Sequence, residues 1–210
     1  MVEEKKAEPS LRERKKQATR QRISNVATGL FFERGFDEVT VAEVARAADV
    51  SAMTVFNYFP RKEDLFLDRI PEAVEMFTEA VRQRGPAESP FTALRALALQ
   101  LIDQQHPLGG LHDNFPHFWR IVIDSPALSA RAREGVEEVE EALARTLVET
   151  APELSDPHLA AAMTIAAYRS LYVTTARRLL AGERAATVAN EHRARMEAAF
   201  DALEGVFGTG

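Results

Sequence analysis

Residues 39–65 read VTVAEVARAADVSAMTVFNYFPRKEDL, and the fold turns on this stretch. Thr40 is followed three residues later by Glu43, the spacing of a capping box. In that motif the hydroxyl accepts from the third backbone amide and the carboxylate reaches back to the cap amide. Val41, Val44, Ala45 and Ala48 then recur at three- and four-residue steps, giving one apolar face of a short helix. Asp49, Val50 and Ser51 form a three-residue turn. Ser51 is suited to cap a second short helix over 52–59, and Pro60, which has no amide hydrogen, stops it. Two short helices joined by such a turn make a helix-turn-helix. In that motif the second helix enters the major groove of DNA, where every base pair shows a distinct donor and acceptor pattern.

The flanking sequence is helical in both directions. Ser10 and Glu13 form another capping-box pair, and Ile23, Val26, Ala27, Leu30 and Phe31 share one face of the helix it starts. Gly35 closes that helix, with Phe36 as the apolar residue that commonly follows a glycine cap. Three later starts place a capping residue before proline: Ser89-Pro90, Ser125-Pro126 and Asp156-Pro157. Gly85 and Gly182 fall where helices should end. No stretch alternates with period two, so the expected class is all-α, with about nine helices. The later ones are expected near 63–84, 91–105, 114–124, 126–150, 157–181 and 188–207, with Pro71 bending or interrupting the fourth.

A chain of 210 residues that is 46% hydrophobic has ample apolar material for a core. Its net charge of −6 is unevenly placed. Residues 1–70 carry 13 Lys+Arg against 12 Asp+Glu, whereas residues 71–210 carry 13 against 20. Residues 12–22 contain Arg12, Arg14, Lys15, Lys16, Arg20 and Arg22 against Glu13 alone. This is either a solvated helix face or an electrostatic foot for phosphates. With no cysteine, disulfides and thiolate metal sites are excluded. The polar start, MVEEKKAEPS, does not read as a signal peptide, so none is expected. The most apolar run, 159–176, contains Arg169 and many small residues, so it reads as a buried helix rather than a membrane span. The expected location is cytoplasmic.

The stretch 39–65, with the leading helix and its Gly35-Phe36 end, closely resembles the DNA-binding domain of the TetR family of transcriptional regulators. The resemblance covers residues 12–66. It implies a disordered tail (1–10), a three-helix DNA-binding domain (11–61) and a larger helical domain for ligand binding and dimerisation (62–210). It also implies phosphate contacts from Thr40 and Lys62, a backbone contact from the Tyr58 hydroxyl, and Ala52, Met53, Thr54, Phe56 and Asn57 at exposed positions of the recognition helix. Asn57 is the best direct reader, since an amide can pair bidentately with adenine. Val55 and Phe59 should face inward. The sequence departs from the family at Asp49, where glycine is usual and Asp tolerates a left-handed turn at some cost. It departs again at Arg61, which replaces a capping serine but adds a charge near the DNA backbone.

The rest of the chain resembles the family only in length and helical pattern. Run 159–176 and the sharply amphipathic last helix can pair with their copies in a two-fold four-helix interface, the family's arrangement. The dimer contacts expected there are Met163, Ala166, Met196, Phe200, Leu203 and Phe207; the alternative is that these stripes are monomer core. A small-molecule pocket is expected around His117, Trp119, Tyr168, Arg169 and Tyr172, because aromatics with a few polar groups line such sites. Arg169, the one charge in its run, needs a partner if buried: a ligand anion or an acid within 137–141. His106, His112 and His117 near Asp103 and Asp113 lack the spacing of a metal site, and no cofactor is expected. HExxH, GxSxG, S-x-x-K and a phosphate-binding loop are absent. Taken together, the expectation is a homodimeric repressor that leaves a palindromic DNA operator when an unknown small-molecule effector binds. The alternatives are an all-helical regulator working through protein partners and a small helical enzyme.

Overall fold

The computed structural model describes residues 10–111 and 115–208. The expected tail before Ser10, and the His112 and Asp113 considered for metal, lie outside the described residues. The described part is all-helical and divides into two compact units, Met1–Asp68 and Arg69–Gly210.

The first unit contains α1 (Leu11–Arg34), α2 (Val41–Ala47), α3 (Ala52–Tyr58) and a 3₁₀ turn at Glu63–Leu65. The Ser10–Glu13 capping box forms, with the Ser10 amide donating to Glu13 Oε2 at 2.7 Å. Gly35, at φ +87°, ends α1 in a conformation that costs glycine nothing. Phe36 then folds back on Phe31, ring centroids 5.0 Å apart. Ile23, Ala27, Phe31, Val39, Val44, Val55 and Phe59 fill the core. Leu65 and Phe66 join it, Phe66 meeting Phe31 edge-on at 5.8 Å. These two side chains tie residues 62–68 to the first unit, whereas the sequence reading ended that domain at 61.

The fourth helix also begins later than expected. Residues 63–65 form only the 3₁₀ turn, and α4 runs Ile70–Arg82. Pro71 lies in its first turn, where a missing amide hydrogen leaves no bond unmade and the fixed φ suits helix entry. It starts the helix rather than bending it.

The second unit continues with α5 (Pro90–Asp103), a 3₁₀ turn at Pro107–Gly109, α6 (Phe115–Asp124), α7 (Pro126–Thr150), α8 (Pro157–Leu180) and α9 (Ala185–Phe207). Ser89, Ser125 and Asp156 each cap the helix that follows, as their Xaa-Pro pattern indicates. Arg84 donates to the carbonyl and hydroxyl oxygens of Thr150, closing the C-terminal end of α7. The core draws on α4, α5, α7, α8 and α9, with Phe91, Leu94, Leu143, Leu147, Ile165, Met196 and Phe200 among its members.

That core corrects two expectations. Met196, Phe200 and Leu203 are at most 4% exposed within a single protomer, and Phe207 stacks on Phe91 at 5.6 Å. The apolar stripe of α9 therefore closes its own chain's core and is not open to a second copy. Arg169 is exposed, so it is not the buried charge that would need a ligand anion or an acid. The helix α8 is covered on one side only: Leu159, Met163, Ala166, Arg169 and Ser170 all face outward. No described helix is long and apolar enough to cross a membrane.

Candidate nucleic-acid interface

The helix-turn-helix is held by its own caps. The Thr40 amide and hydroxyl both donate to Glu43 Oε2 at 2.8 Å, and the Glu43 amide donates back to Thr40 Oγ1 at 3.2 Å. Arg34 donates to the other carboxylate oxygen at 2.8 Å. The Thr40 amide, then the Thr40 hydroxyl and Arg34, pull the Glu43 carboxyl down to about 2. The turn between the helices puts Asp49 at φ +53°, and the Val50 amide donates to the Ala45 carbonyl at 3.0 Å. An aspartate therefore does take the left-handed position.

Across the turn, Ser51 Oγ accepts from the Thr54 amide at 3.0 Å and lies 2.8 Å from Thr54 Oγ1. Only Val55 of α3 is fully buried, and Phe59 just after it is buried too. These anchors leave Ala52, Met53, Phe56 and Asn57 exposed, with Met53 69% and Phe56 46% accessible. Met53 and Phe56, three residues apart, share one exposed apolar face of this seven-residue helix. Among the described residues the Asn57 amide has no intramolecular hydrogen bond, which leaves its donor and acceptor edge available. Thr54 and Tyr58 are half-buried, and the Thr54 hydroxyl already serves the cap.

Arg61 is exposed at the start of the next turn, its amide donating to Asp64 Oδ2 at 3.2 Å. Lys62 does not reach freely outward. Its ammonium lies 4.2 Å from the Phe36 ring centroid and 3.5 Å from the Asp37 carbonyl oxygen, and burial pushes its pKa down. A phosphate would have to draw it away from that ring.

Sequence reasoning missed a latch in this unit. The Ser24 hydroxyl donates to Asp68 Oδ2 at 2.5 Å, Arg20 donates to the Asp68 carbonyl at 2.8 Å, and the Arg20 guanidinium lies 4.8 Å from the Phe59 ring. This fixes the exit of the recognition helix and the last residue of the unit against α1. The available signal was Ser24, a polar residue on the inner row Ile23, Ala27 and Phe31.

In the second unit the structure brings Trp119, Tyr168 and Tyr172 together but not His117 or Arg169, which are exposed. The Tyr168 hydroxyl donates to the Leu108 carbonyl at 2.7 Å and the Tyr172 hydroxyl to that of Pro107 at 2.9 Å. Burial raises the pKa of both phenols, so they remain neutral donors. Tyr172 meets Phe115 at 4.8 Å and Trp119 at 5.7 Å between centroids. Trp119 Nε1 is buried with no acceptor among the described residues, an arrangement that costs about 1–3 kcal/mol. No group of three His, Asp or Glu placed to hold a metal occurs among the described residues.

Residues 23–68 match the family profile described as bacterial regulatory proteins, tetR family. The chain is 33% identical over 145 residues to the HTH-type transcriptional regulator TcmR of Streptomyces glaucescens. That match spans 66% of this chain and 63% of TcmR, so the chain spans less than two thirds of that relative. Two solved structures share the fold. One is a TetR-family regulator from Mesorhizobium loti (21% identity, TM-score 0.59, covering 92% of this chain and 98% of that one). The other is SmeT, described as the repressor of a Stenotrophomonas maltophilia multidrug efflux pump (18% identity, TM-score 0.56, covering 91% of each chain). The profile match assigns the helix-turn-helix of residues 23–68 to the tetR family of bacterial regulatory proteins, the match to TcmR runs beyond that domain, and the solved structures share the all-helical fold.

Proposed function

We propose that this chain is a sequence-specific DNA-binding transcriptional regulator, a repressor that holds a palindromic operator as a homodimer and leaves it when a small molecule binds the second unit. The observation that carries this reading is the outer row of α3. Ala52, Met53, Phe56 and Asn57 stand open while Val55 and Phe59 lock the helix from behind. Asn57 supplies the adenine-type amide pairing, and Met53 and Phe56 supply apolar contact to thymine methyls. Thr40, Arg61 and Lys62 fix the register on phosphates, with Tyr58 beside them.

The dimer contact falls on the outward row of α8, Leu159, Met163 and Ala166, with exposed Val206 of α9. A two-fold pair places two recognition helices on half-sites about 34–36 Å apart, or a longer multiple of the helical repeat. The effector site falls beside Trp119, where an acceptor on the ligand would satisfy the buried indole N–H. SmeT, similar in fold, has been solved as a complex with triclosan. The effector shifts an equilibrium between DNA-competent and incompetent arrangements, by no more than its difference in affinity for the two.

The test is selection of bound sequences from random DNA by the purified protein, with a salt titration on the winner. Enrichment of a palindrome, bound with affinity that falls steeply as salt rises, supports the reading. No enriched sequence at low salt, from a folded dimer, overturns it.

A further inference from the structure

The first half of α1 contributes no buried side chain to the core of its unit, and only Arg20 reaches in, to the Asp68 latch and the Phe59 ring. From Leu11 to Arg22 no residue is buried, and the inner row begins only at Ile23. About two turns of helix, residues 11–18, are exposed throughout before Arg20 meets the packed part of the unit. An isolated helix of that length is marginal in water, so it draws its order from continuity with the packed half. Its composition is not that of a generic solvated face. In a chain of net charge −6, residues 12–22 hold six basic side chains and one acidic one.

The basic residues divide by what they touch. Arg20 belongs to the Asp68 latch and lies against Phe59. Arg12, Arg14, Lys15, Lys16 and Arg22 are exposed, and none makes an ion pair among the described residues; Arg14 lies on the opposite side of the helix from the other four. Their spacing is i, i+3, i+4 and i+10, with Thr19 at i+7, so they form one stripe along the helix. Arg12 to Arg22 spans about 15 Å at 1.5 Å per residue. Phosphates of one DNA strand recur every ~3.4 Å along the helix axis, so the stripe matches about four base pairs of backbone.

We infer that this stripe is a second DNA-contacting surface, which grips the phosphate backbone flanking the half-site read by α3 and carries no sequence preference of its own. The inference rests on the DNA-binding reading above. Charge complementarity and continuity with the helix-turn-helix unit identify the occupant. An anionic membrane surface fits less well. An interfacial helix needs an apolar face opposite its charges, whereas the other side of this helix carries Arg14, Gln17, Ala18 and Gln21. Backbone contacts of this kind neutralise phosphates and release counterions, and salt dependence measures that directly.

The experiment uses the full chain and two duplexes carrying the selected operator, one with about ten flanking base pairs on each side and one trimmed to the half-sites. The quadruple variant R12A/K15A/K16A/R22A is compared with the wild type, with the charge-preserving R12K/K15R/K16R/R22K, and with N57A. Alanine is the stronger helix former, so the helix persists, and circular dichroism checks this. On the long duplex the quadruple variant should bind about tenfold or more weakly at physiological salt. Its log–log salt slope should become shallower by about 0.9 for each phosphate the protein no longer neutralises. The charge-preserving variant should keep the slope. Trimming the flanks should weaken the wild type and leave the quadruple variant nearly unchanged. Equal slopes and equal sensitivity to trimming, while N57A still loses the operator, would overturn this inference and leave the DNA reading intact. A wild type that binds neither duplex would overturn both. Binding to anionic vesicles that depends on these four residues, with an unchanged DNA slope, would reassign the stripe to a membrane and overturn it as stated.

Discussion

In the N-terminal unit most of the side chains that the sequence nominates for contact remain at the surface, with Thr54, Tyr58 and Lys62 half-buried. In the C-terminal unit most of the aromatic and apolar ones turn inward. Met53, Phe56 and Asn57 of α3 are exposed, whereas Met196, Phe200 and Leu203 of α9 are buried in their own protomer. Tyr168 and Tyr172 donate their hydroxyls to a neighbouring turn. The difference is one of scale. A helix-turn-helix is specified by caps, a turn and two helices of seven residues, all within reach of local spacing. Which face of a 24-residue helix such as α8 is covered depends on partners far away in the chain.

The sharpest way to break this contrast is to cut equivalent aromatics in the two units. Phe200→Ala should cost about 3–5 kcal/mol of stability, because it empties a filled core. Phe56→Ala should leave stability within about 0.5 kcal/mol and weaken operator binding instead. Denaturant unfolding of both variants checks this. If Phe200→Ala unfolds like the wild type and only loses dimer, α9 belongs to the interface after all.

A second prediction concerns pH. His192 is buried, with Nδ1 2.7 Å from Thr175 Oγ1, and burial, helped by Arg195, pushes its pKa down to about 4. The unfolded imidazole takes up a proton below about 6.5, and the folded one does not until about 4. Unfolding therefore binds a proton in that window, and stability falls as pH drops from about 6.5 towards 4, by up to about 3 kcal/mol. The Glu43 carboxyl, held down to about 2, loses its stabilising ionisation only below its ordinary value of 4.5, which separates the two effects. Thermal melts between pH 7.5 and 5 should show the slope in the wild type and lose it in His192→Gln. An equal slope in both would remove His192 as its source.

Glycines give a finer comparison. A Cβ on Gly109 would lie 2.5 Å from the Leu101 carbonyl oxygen, whereas one on Gly29, within α1, would meet nothing within 4 Å. Gly109→Ala should destabilise by about 1–3 kcal/mol through backbone displacement. Gly29→Ala should stabilise by about 0.5–1 kcal/mol, since alanine is the better helix former. Chemical denaturation of the pair reads both signs. Destabilisation by Gly29→Ala would mean that α1 has an unseen close neighbour.

The helix starts at Ser10, Thr40, Ser51, Ser89, Ser125 and Asp156 were readable because a cap is local chemistry, one hydroxyl or carboxylate meeting an amide two or three residues on. Asp49 was readable as the left-handed turn position only through the resemblance, in which glycine usually stands there. The start of α4 was misplaced because residues 63–69 carry helix-forming side chains, yet Leu65 and Phe66 are drawn under α1. The Ser24–Asp68 bond joins residues 44 positions apart, and no spacing rule anticipates it. Arg169 looked like a buried charge because composition around it is apolar on all sides. Composition does not say which side of a helix the rest of the protein leaves bare.

The central claim is that the outer row of α3 reads DNA, and Asn57→Ala tests it most directly. Binding of the wild type and the variant would be titrated against the selected operator and a scrambled duplex at one fixed salt concentration. Loss of a bidentate amide–base pair should weaken operator binding by about 1–3 kcal/mol, roughly 5- to 150-fold, and leave the scrambled duplex bound as before. Undiminished operator affinity in a folded Asn57→Ala protein would contradict the account.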